Sequence, residues 1–192
     1  LDAITALAAA LDGHPVLLLG VARPTLYERH PDWLADQPTY LRLRLKLLDE
    51  TASGQLVTEI LQKMEDIPGP LCDLIVATAE GNPFYAEELI KMFIDEGIIV
   101  KGDDIWEAEM GRLAAIRVPP TLTGVLQARL EALPPSEQLA LQRASVVGRL
   151  FWDTAVDYLG DASGMAESAW PALRRREIIF LHEETAFEGT RQ

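Results

Sequence analysis

Proline and glycine recur along this chain at Pro68-Gly69-Pro70, Gly81-Asn82-Pro83, Pro119-Pro120 and Pro134-Pro135, and again in the stretch 160–163. Proline lacks the N–H that a helix interior needs but suits the first helical turn, and glycine permits the backbone reversal that ends a helix. Long helices are therefore excluded, and the text between the breaks must form short ones that bury their apolar stripes on each other. Segments 55–64, 71–80 and 83–96 read as three helices of a small bundle, and 121–132, 136–147, 151–159 and 164–176 as four more. Between the two groups, Ile98-Ile99-Val100, Lys101-Gly102-Asp103-Asp104 and Ile105-Trp106-Glu107-Ala108 read as a hairpin with a tight turn.

The first quarter is written differently. Residues 1–12 have apolar positions at helical spacing, and Asp12-Gly13-His14-Pro15 supplies a stop and a turn. The continuous apolar run 16–21 is expected to be a strand buried on both faces of a parallel sheet. A polar stretch broken by Pro24, Pro31 and Pro38 follows. Then Tyr40-Leu41-Arg42-Leu43-Arg44-Leu45-Lys46-Leu47 alternates with period two, the pattern of a strand with one buried face. At the far end, Ile178-Ile179-Phe180-Leu181 before Glu183-Glu184-Thr185 reads as a strand entering a turn. Helices followed by a terminal hairpin describe a winged helix, here ending at Gln192 before its return strand.

Thirty acidic against seventeen basic residues give a net charge of −13, which repels the phosphate backbone on which non-specific nucleic-acid affinity depends. No apolar stretch reaches the ~20 residues that span a bilayer, and the amino terminus lacks a signal-peptide layout. One cysteine, Cys72, in an apolar run, makes no internal disulfide and is expected to be a small buried thiol. A cytoplasmic protein without membrane or nucleic-acid partners is expected. The chain opens in helical pattern without a start methionine or a cap, and is expected to be part of a longer protein.

Few residues offer chemistry. Arg23 stands two residues beyond the 16–21 segment, where ligands of open α/β sheets bind, and a guanidinium there can bond two phosphate oxygens. Its ordinary role would be a solvated loop residue. Gly81-Asn82-Pro83-Phe84 opens a helix: capping is the simple role, and presentation of an apolar ring to a purine the sharper one. Glu87 and Glu88 point ~100° apart and read as a solvated helix face rather than an acid and base pair. His14, His30 and His182 lack metal-ligand spacing, so no metal is expected. No Ser/His/Asp or Cys/His arrangement can be drawn. No Gly-x-x-x-x-Gly-Lys-Ser/Thr loop is present, so ATP hydrolysis by this stretch alone is not expected. Arg174-Arg175-Arg176 close a helix, complementing its dipole, and a DNA-reading helix would place its basic residues similarly.

In order, Val16-Leu17-Leu18-Leu19-Gly20-Val21-Ala22-Arg23-Pro24, Gly81-Asn82-Pro83-Phe84-Tyr85-Ala86-Glu87-Glu88-Leu89, and Val118-Pro119-Pro120-Thr121-Leu122 running to Gln127-Ala128-Arg129-Leu130-Glu131-Ala132-Leu133-Pro134 resemble one family. It is the STAND class of signal-transduction ATPases in the AAA+ superfamily, in its bacterial branch associated with class III adenylate/guanylate cyclases and tetratricopeptide-repeat regulators. Ala144-Ser145-Val146-Val147-Gly148-Arg149-Leu150-Phe151-Trp152 resembles its winged-helix portion. The resemblance implies a mainly α chain with small β elements: residues 1–48 closing an α/β P-loop NTPase core, 49–117 a helical lid with a β-hairpin, and 118–192 an incomplete winged-helix domain.

It further implies ATP or ADP with magnesium as ligand of the full-length parent, with tight binding not expected here because the phosphate loop and acidic magnesium motif would lie upstream. Arg23 would sense the terminal phosphate, Pro83 would pack on adenine, and Gly81 would shape the turn. Partners would be the upstream core and a fused output domain such as a nucleotide cyclase, with self-association through an unpaired strand edge as a further expectation. The parent would be a slow ATPase, and this stretch its regulatory part. The rival expectation is a winged-helix module that binds DNA or a partner protein independently of nucleotide.

Overall fold

The computed structural model of the protein describes residues 1–11, 13–35, 40–160 and 165–182. Asp12, Pro38, and the expected connections at 161–163 and 183–185 lie outside them. The protein is mainly helical, with ten helices and one pair of short antiparallel strands among the described residues. It divides into two units, Leu1–Lys46 and Leu47–Gln192.

The first unit holds helix α1 (Asp2–Ala10) and the short α2 (Thr25–Arg29), neither with a buried residue. It contains an aromatic node. The Trp33 indole donates to the Thr5 hydroxyl at 3.2 Å, the Tyr27 and Tyr40 hydroxyls are hydrogen-bonded, and the Arg42 guanidinium lies 3.5 Å from the Tyr27 ring centroid. Neither expected strand forms. Residues 16–21 and 40–47 run without a ladder partner, and their apolar side chains face solvent: Leu17 is 88% exposed, Val21 96% and Leu45 91%. The reason is backbone accounting, because a strand's N–H and C=O groups need a neighbouring strand, and the only pairing among the described residues lies elsewhere in the chain.

The second unit is built from short helices with recognisable ends. Helix α3 (Glu50–Ile60) begins five residues before the expected start, because the Asp49 carboxylate accepts from the Ala52 N–H at 2.8 Å and caps it. Helix α4 (Gly69–Ala79) starts on Pro68-Gly69-Pro70 and ends in left-handed backbone at Glu80 and Gly81. Helix α5 (Pro83–Asp95) is capped by Asn82 and ends on Gly97, at φ 67°, with Ile98 N–H returning to the Phe93 carbonyl and Gly97 N–H to that of Ile94. That is a Schellman ending, and its two apolar members, Phe93 and Ile98, are both buried.

Strands β1 (Ile99–Lys101) and β2 (Trp106–Ala108) form the expected hairpin, with Val100 opposite Glu107. The Trp106 N–H bonds the Lys63 carbonyl beyond α3, fixing the hairpin to the helices. A single-turn α6 (Met110–Leu113) follows, then α7 (Leu122–Glu131) capped by Thr121, α8 (Pro135–Val147), α9 (Asp153–Tyr158) and α10 (Met165–Arg175). The expected strand at 178–181 is not formed among the described residues, where 178 and 179 bend and 180–181 run outside any strand.

Two apolar cores result among the described residues. The larger is shared by α3, α4, α5, the start of β1 and one residue of α7: Val57, Leu61, Leu71, Ile75, Leu89, Phe93, Ile98 and Val125 are all at 0–1% exposure. Burial on that scale stabilises by roughly 1.5–3 kcal/mol per side chain before entropy is counted. The smaller core joins α8, α9 and α10 through Leu133, Ala140, Ala144, Val156, Trp170 and Leu173, with Phe151 at 5.5 Å from the Trp170 ring.

Candidate functional site

Gly81 and Pro83 share one turn. Gly81 has φ 78°, and a Cβ there would run into the Leu48 carbonyl oxygen, so both conformation and space require glycine. Its carbonyl accepts from the Leu48 N–H at 2.8 Å, which pins the turn to the chain entering α3. Asn82 caps α5 through the Tyr85 N–H, and Pro83 takes the first helical position. The consequence is an exposed pair, Pro83 and Phe84, at the head of a helix whose next residues, Tyr85 and Ala86, are buried.

Arg23 belongs to the other unit. It is exposed, and its carbonyl accepts from the Leu26 N–H at 3.0 Å as the chain enters α2. A cavity of about 580 Å³ in that unit is lined by Leu1, Asp2, Arg29, His30, Pro31, Asp32 and Trp33, and does not include Arg23. The 16–21 segment that precedes Arg23 is unpaired, so Arg23 does not stand at the end of a sheet strand.

Two sequence blocks far apart in the chain meet in the second unit. The Tyr85 hydroxyl donates to the Pro119 carbonyl at 3.0 Å, and α5 packs on α7. Burial, with the Glu80 charge adding to it, raises the Tyr85 hydroxyl above the ordinary tyrosine value, so it is a neutral donor here. Leu113, Ile116, Val118 and Leu122 fold back onto the larger core.

The densest charged network among the described residues is one that the residue pattern did not single out. Arg129 of α7 is 5% exposed and makes three charge-assisted contacts. Its guanidinium donates to the Glu88 carboxylate, to Asp95 Oδ2 at 3.0 Å, and to the carbonyl of Arg176, just past α10, at 2.7 Å. Arg176 in turn meets Asp95 Oδ1 at 2.9 Å and lies 3.6 Å from Glu137 Oε2. Lys91 bridges Glu88 at 3.1 Å and Glu177 at 2.8 Å.

One expectation is corrected by this network, while Arg174 and Arg175 do stand in the last turn of α10 where they complement its dipole. Glu88 is not on a solvated face but 4% exposed, buried because Arg129 and Lys91 neutralise it; Glu87 beside it is half-buried. The three terminal arginines do not form a free basic row, since Arg176 turns inward onto carboxylates and Arg174 Nε reaches the Trp170 carbonyl at 3.5 Å. The readable signal was spacing: Glu88 and Asp95 lie seven apart, two helical turns, on one face of α5.

Cys72 is half-buried against the larger core, and burial followed by the Asp73 charge pushes its thiol up, away from the thiolate that nucleophilic chemistry needs. Among the described residues no group of three or more His, Cys, Asp or Glu could hold a metal ion, and no helix is long and apolar enough to cross a membrane. Compared with known protein families, curated proteins and solved structures, the chain has no significant match.

Proposed function

We propose that this chain is the regulatory part of an ATP-binding switch protein, in which Gly81 and Pro83 form the lid turn that contacts the base and Arg23 senses the terminal phosphate. In this reading residues 1–48 close a P-loop NTPase core, 49–117 are the lid and 118–192 belong to a winged-helix domain. Nucleotide exchange biases an open or closed state that gates a fused output domain such as a nucleotide cyclase. ATP or ADP with magnesium is the ligand of the full-length protein, whose phosphate loop and magnesium carboxylate lie upstream.

The observation that carries the reading is the 81–84 turn. Gly81 is held where only glycine fits, and the result is an exposed proline and phenylalanine at a capped helix head. Such a surface offers a flat apolar face to a purine, and the resemblance in residue order supplies the rest. A ligand can shift such an equilibrium only by its difference in affinity for the two states, which makes a phosphate-sensing arginine the discriminating part.

Calorimetric titration of ATP and ADP, with magnesium, into this chain and into the longer parent tests it. Binding by the parent is expected, weakened for both nucleotides by Pro83→Ala. Arg23→Ala should weaken ATP chiefly, by roughly tenfold to a hundredfold for one lost charge-assisted bond of about 1.5–3 kcal/mol. Absence of binding by the parent, or equal loss of ATP and ADP affinity in Arg23→Ala, overturns the assignment.

A further inference from the structure

The two cores of the second unit have no residue in common: Val57 through Val125 form one, and Leu133 through Leu173 the other. A charged network passes between them, beside the Gln138 amide that donates to the Glu131 carbonyl at 2.9 Å. Glu88, Lys91 and Asp95 of α5 stand on the side of the larger core. Arg176, Glu177 and Glu137 stand on the side of the smaller one, and Arg129, near the end of α7, reaches both. The covalent connection between the cores on that route is short, Ala132 to Pro134, between the end of α7 and the start of α8.

We propose that Arg129, holding Glu88, Asp95 and the Arg176 carbonyl together, is a latch that keeps the smaller helical core docked on the larger one and whose release separates them without unfolding either. The inference does not depend on nucleotide binding. Its physical basis is the contrast between seams. An apolar seam opened to water loses burial that nothing returns, whereas ions in an opened polar seam recover their hydration, so the net cost of separation is smaller. The latch also has one weak point. Without Arg129, Glu88 and Asp95, their side chains 5% and 13% exposed, lose the cation they share, Glu88 retaining Lys91 and Asp95 retaining Arg176, and the Arg176 carbonyl loses this donor. Repulsion and lost solvation then both favour opening.

The geometry gives the latch its register as well. Arg129 offers a rigid fork that takes one carboxylate on Nη1, another on Nε and a helix-end carbonyl on Nη2. A lysine carries the same charge without that fork and cannot reproduce the three bonds. Arg176 repeats the theme from the other side, placing Nη1 on Asp95 and Nε toward Glu137, so Asp95 is shared between two guanidinium groups.

The experiment measures the distance between the cores and the integrity of each. Spin labels at Gln55 on α3 and Gln142 on α8, both exposed, in a Cys72→Ala background, report the separation by pulsed electron resonance, while amide hydrogen exchange reports each core. Wild type is expected to give one narrow distance. Arg129→Met should give a longer or broader distribution, with slow exchange retained at Ile75 and Phe93 and at Ala144 and Leu173. Arg129→Lys should fall between them, and Arg129→Met combined with Glu88→Gln and Asp95→Asn should return toward the narrow distance because the excess of carboxylates over cations is removed, Lys91 keeping Glu177 and Arg176 keeping Glu137. A wild-type distance in Arg129→Met overturns the latch. So does loss of slow exchange in both cores together, or a triple variant as open as the single one.

Discussion

Leu17 and Leu61 are the same residue in the same chain, yet one is 88% exposed and the other fully buried. The difference lies in what each segment needs before it can bury anything. A helix closes its own N–H to C=O bonds, so α3, α4 and α5 arrive with backbone polarity settled and only an apolar stripe to place. A strand closes nothing by itself. The leucines of 16–21 and 40–47 carry strand patterning, and with no ladder partner their segments bury none of those side chains, Leu41, Leu43, Leu45 and Leu47 being 69–91% exposed. Apolar composition is therefore a poor guide to stability across the two units.

Large-to-small substitution tests that contrast most directly. Phe93 is fully buried at the centre of the larger core, and Phe93→Ala is expected to cost about 3–5 kcal/mol. Leu43→Ser, at a residue 75% exposed, is expected to stay within about 0.5 kcal/mol. Urea unfolding followed by far-ultraviolet circular dichroism measures both. A large loss in Leu43→Ser would break the comparison and mean that the alternating segment is packed in solution.

A sharper version concerns two glycines that follow helix ends in left-handed backbone. Gly81 and Gly97 both have positive φ, near 78° and 67°, and alanine in that region costs roughly 1–2 kcal/mol from backbone crowding alone. At Gly97 the added methyl meets only Arg112 Nη1, the far end of a flexible side chain, whereas at Gly81 it meets backbone at Leu48. Gly81→Ala should therefore lower the urea midpoint clearly more than Gly97→Ala. Equal losses would show that the 47–49 segment yields easily and that Gly81 is kept for conformation only.

Helices were legible in this sequence because their punctuation is chemical and local. Pro70, Pro83 and Pro135 mark first turns, and Asn82 and Thr121 accept the bonds their positions imply. Where a boundary was misread, at α3, the cap was Asp49, an aspartate inside an acidic pair that does not stand out from the charge around it. Strands were overread because period-two patterning at 40–47 records what a segment could do beside a neighbour, and the neighbour is not encoded in the segment. The densest site was missed for a related reason. Glu88, Asp95, Arg129 and Arg176 are common surface residues in composition, and only the packing of α5 on α7 brings them together. Gly81 and Pro83 fell in one turn as their adjacency required, while nothing local about Arg23 marks it as more than a loop residue.

The smallest expected effect separates charge from burial within the second unit. Glu177 sits at the left-handed position after α10, φ 55°, where the N–H of Ile178 returns to the Leu173 carbonyl, and it reaches across to Lys91. The Lys91 hydrogen bond, against a smaller opposing effect of burial, holds the Glu177 carboxyl below the usual glutamate range. Burial alone would lower the Lys91 amine, but its bonds to Glu177 and Glu88 outweigh that and leave it raised. The signs follow by linkage. The Glu177 contribution is fully present above the ordinary glutamate value and fades as pH falls through the lowered folded value. That of Lys91 is fully present below the ordinary lysine value and fades as pH rises through the raised one. Glu177 is half-exposed, so solvent screening holds the contribution to at most about 1 kcal/mol. Urea midpoints of wild type and Glu177→Gln should differ by a small constant amount from about pH 5 to 9 and converge only as pH falls through the lowered folded value, where the wild-type carboxyl is protonated in the folded state as well. A difference that persists undiminished into acid would mean that Glu177 acts through its backbone position rather than its charge, leaving Arg129 and Arg176 as the ionic contacts that join the two cores.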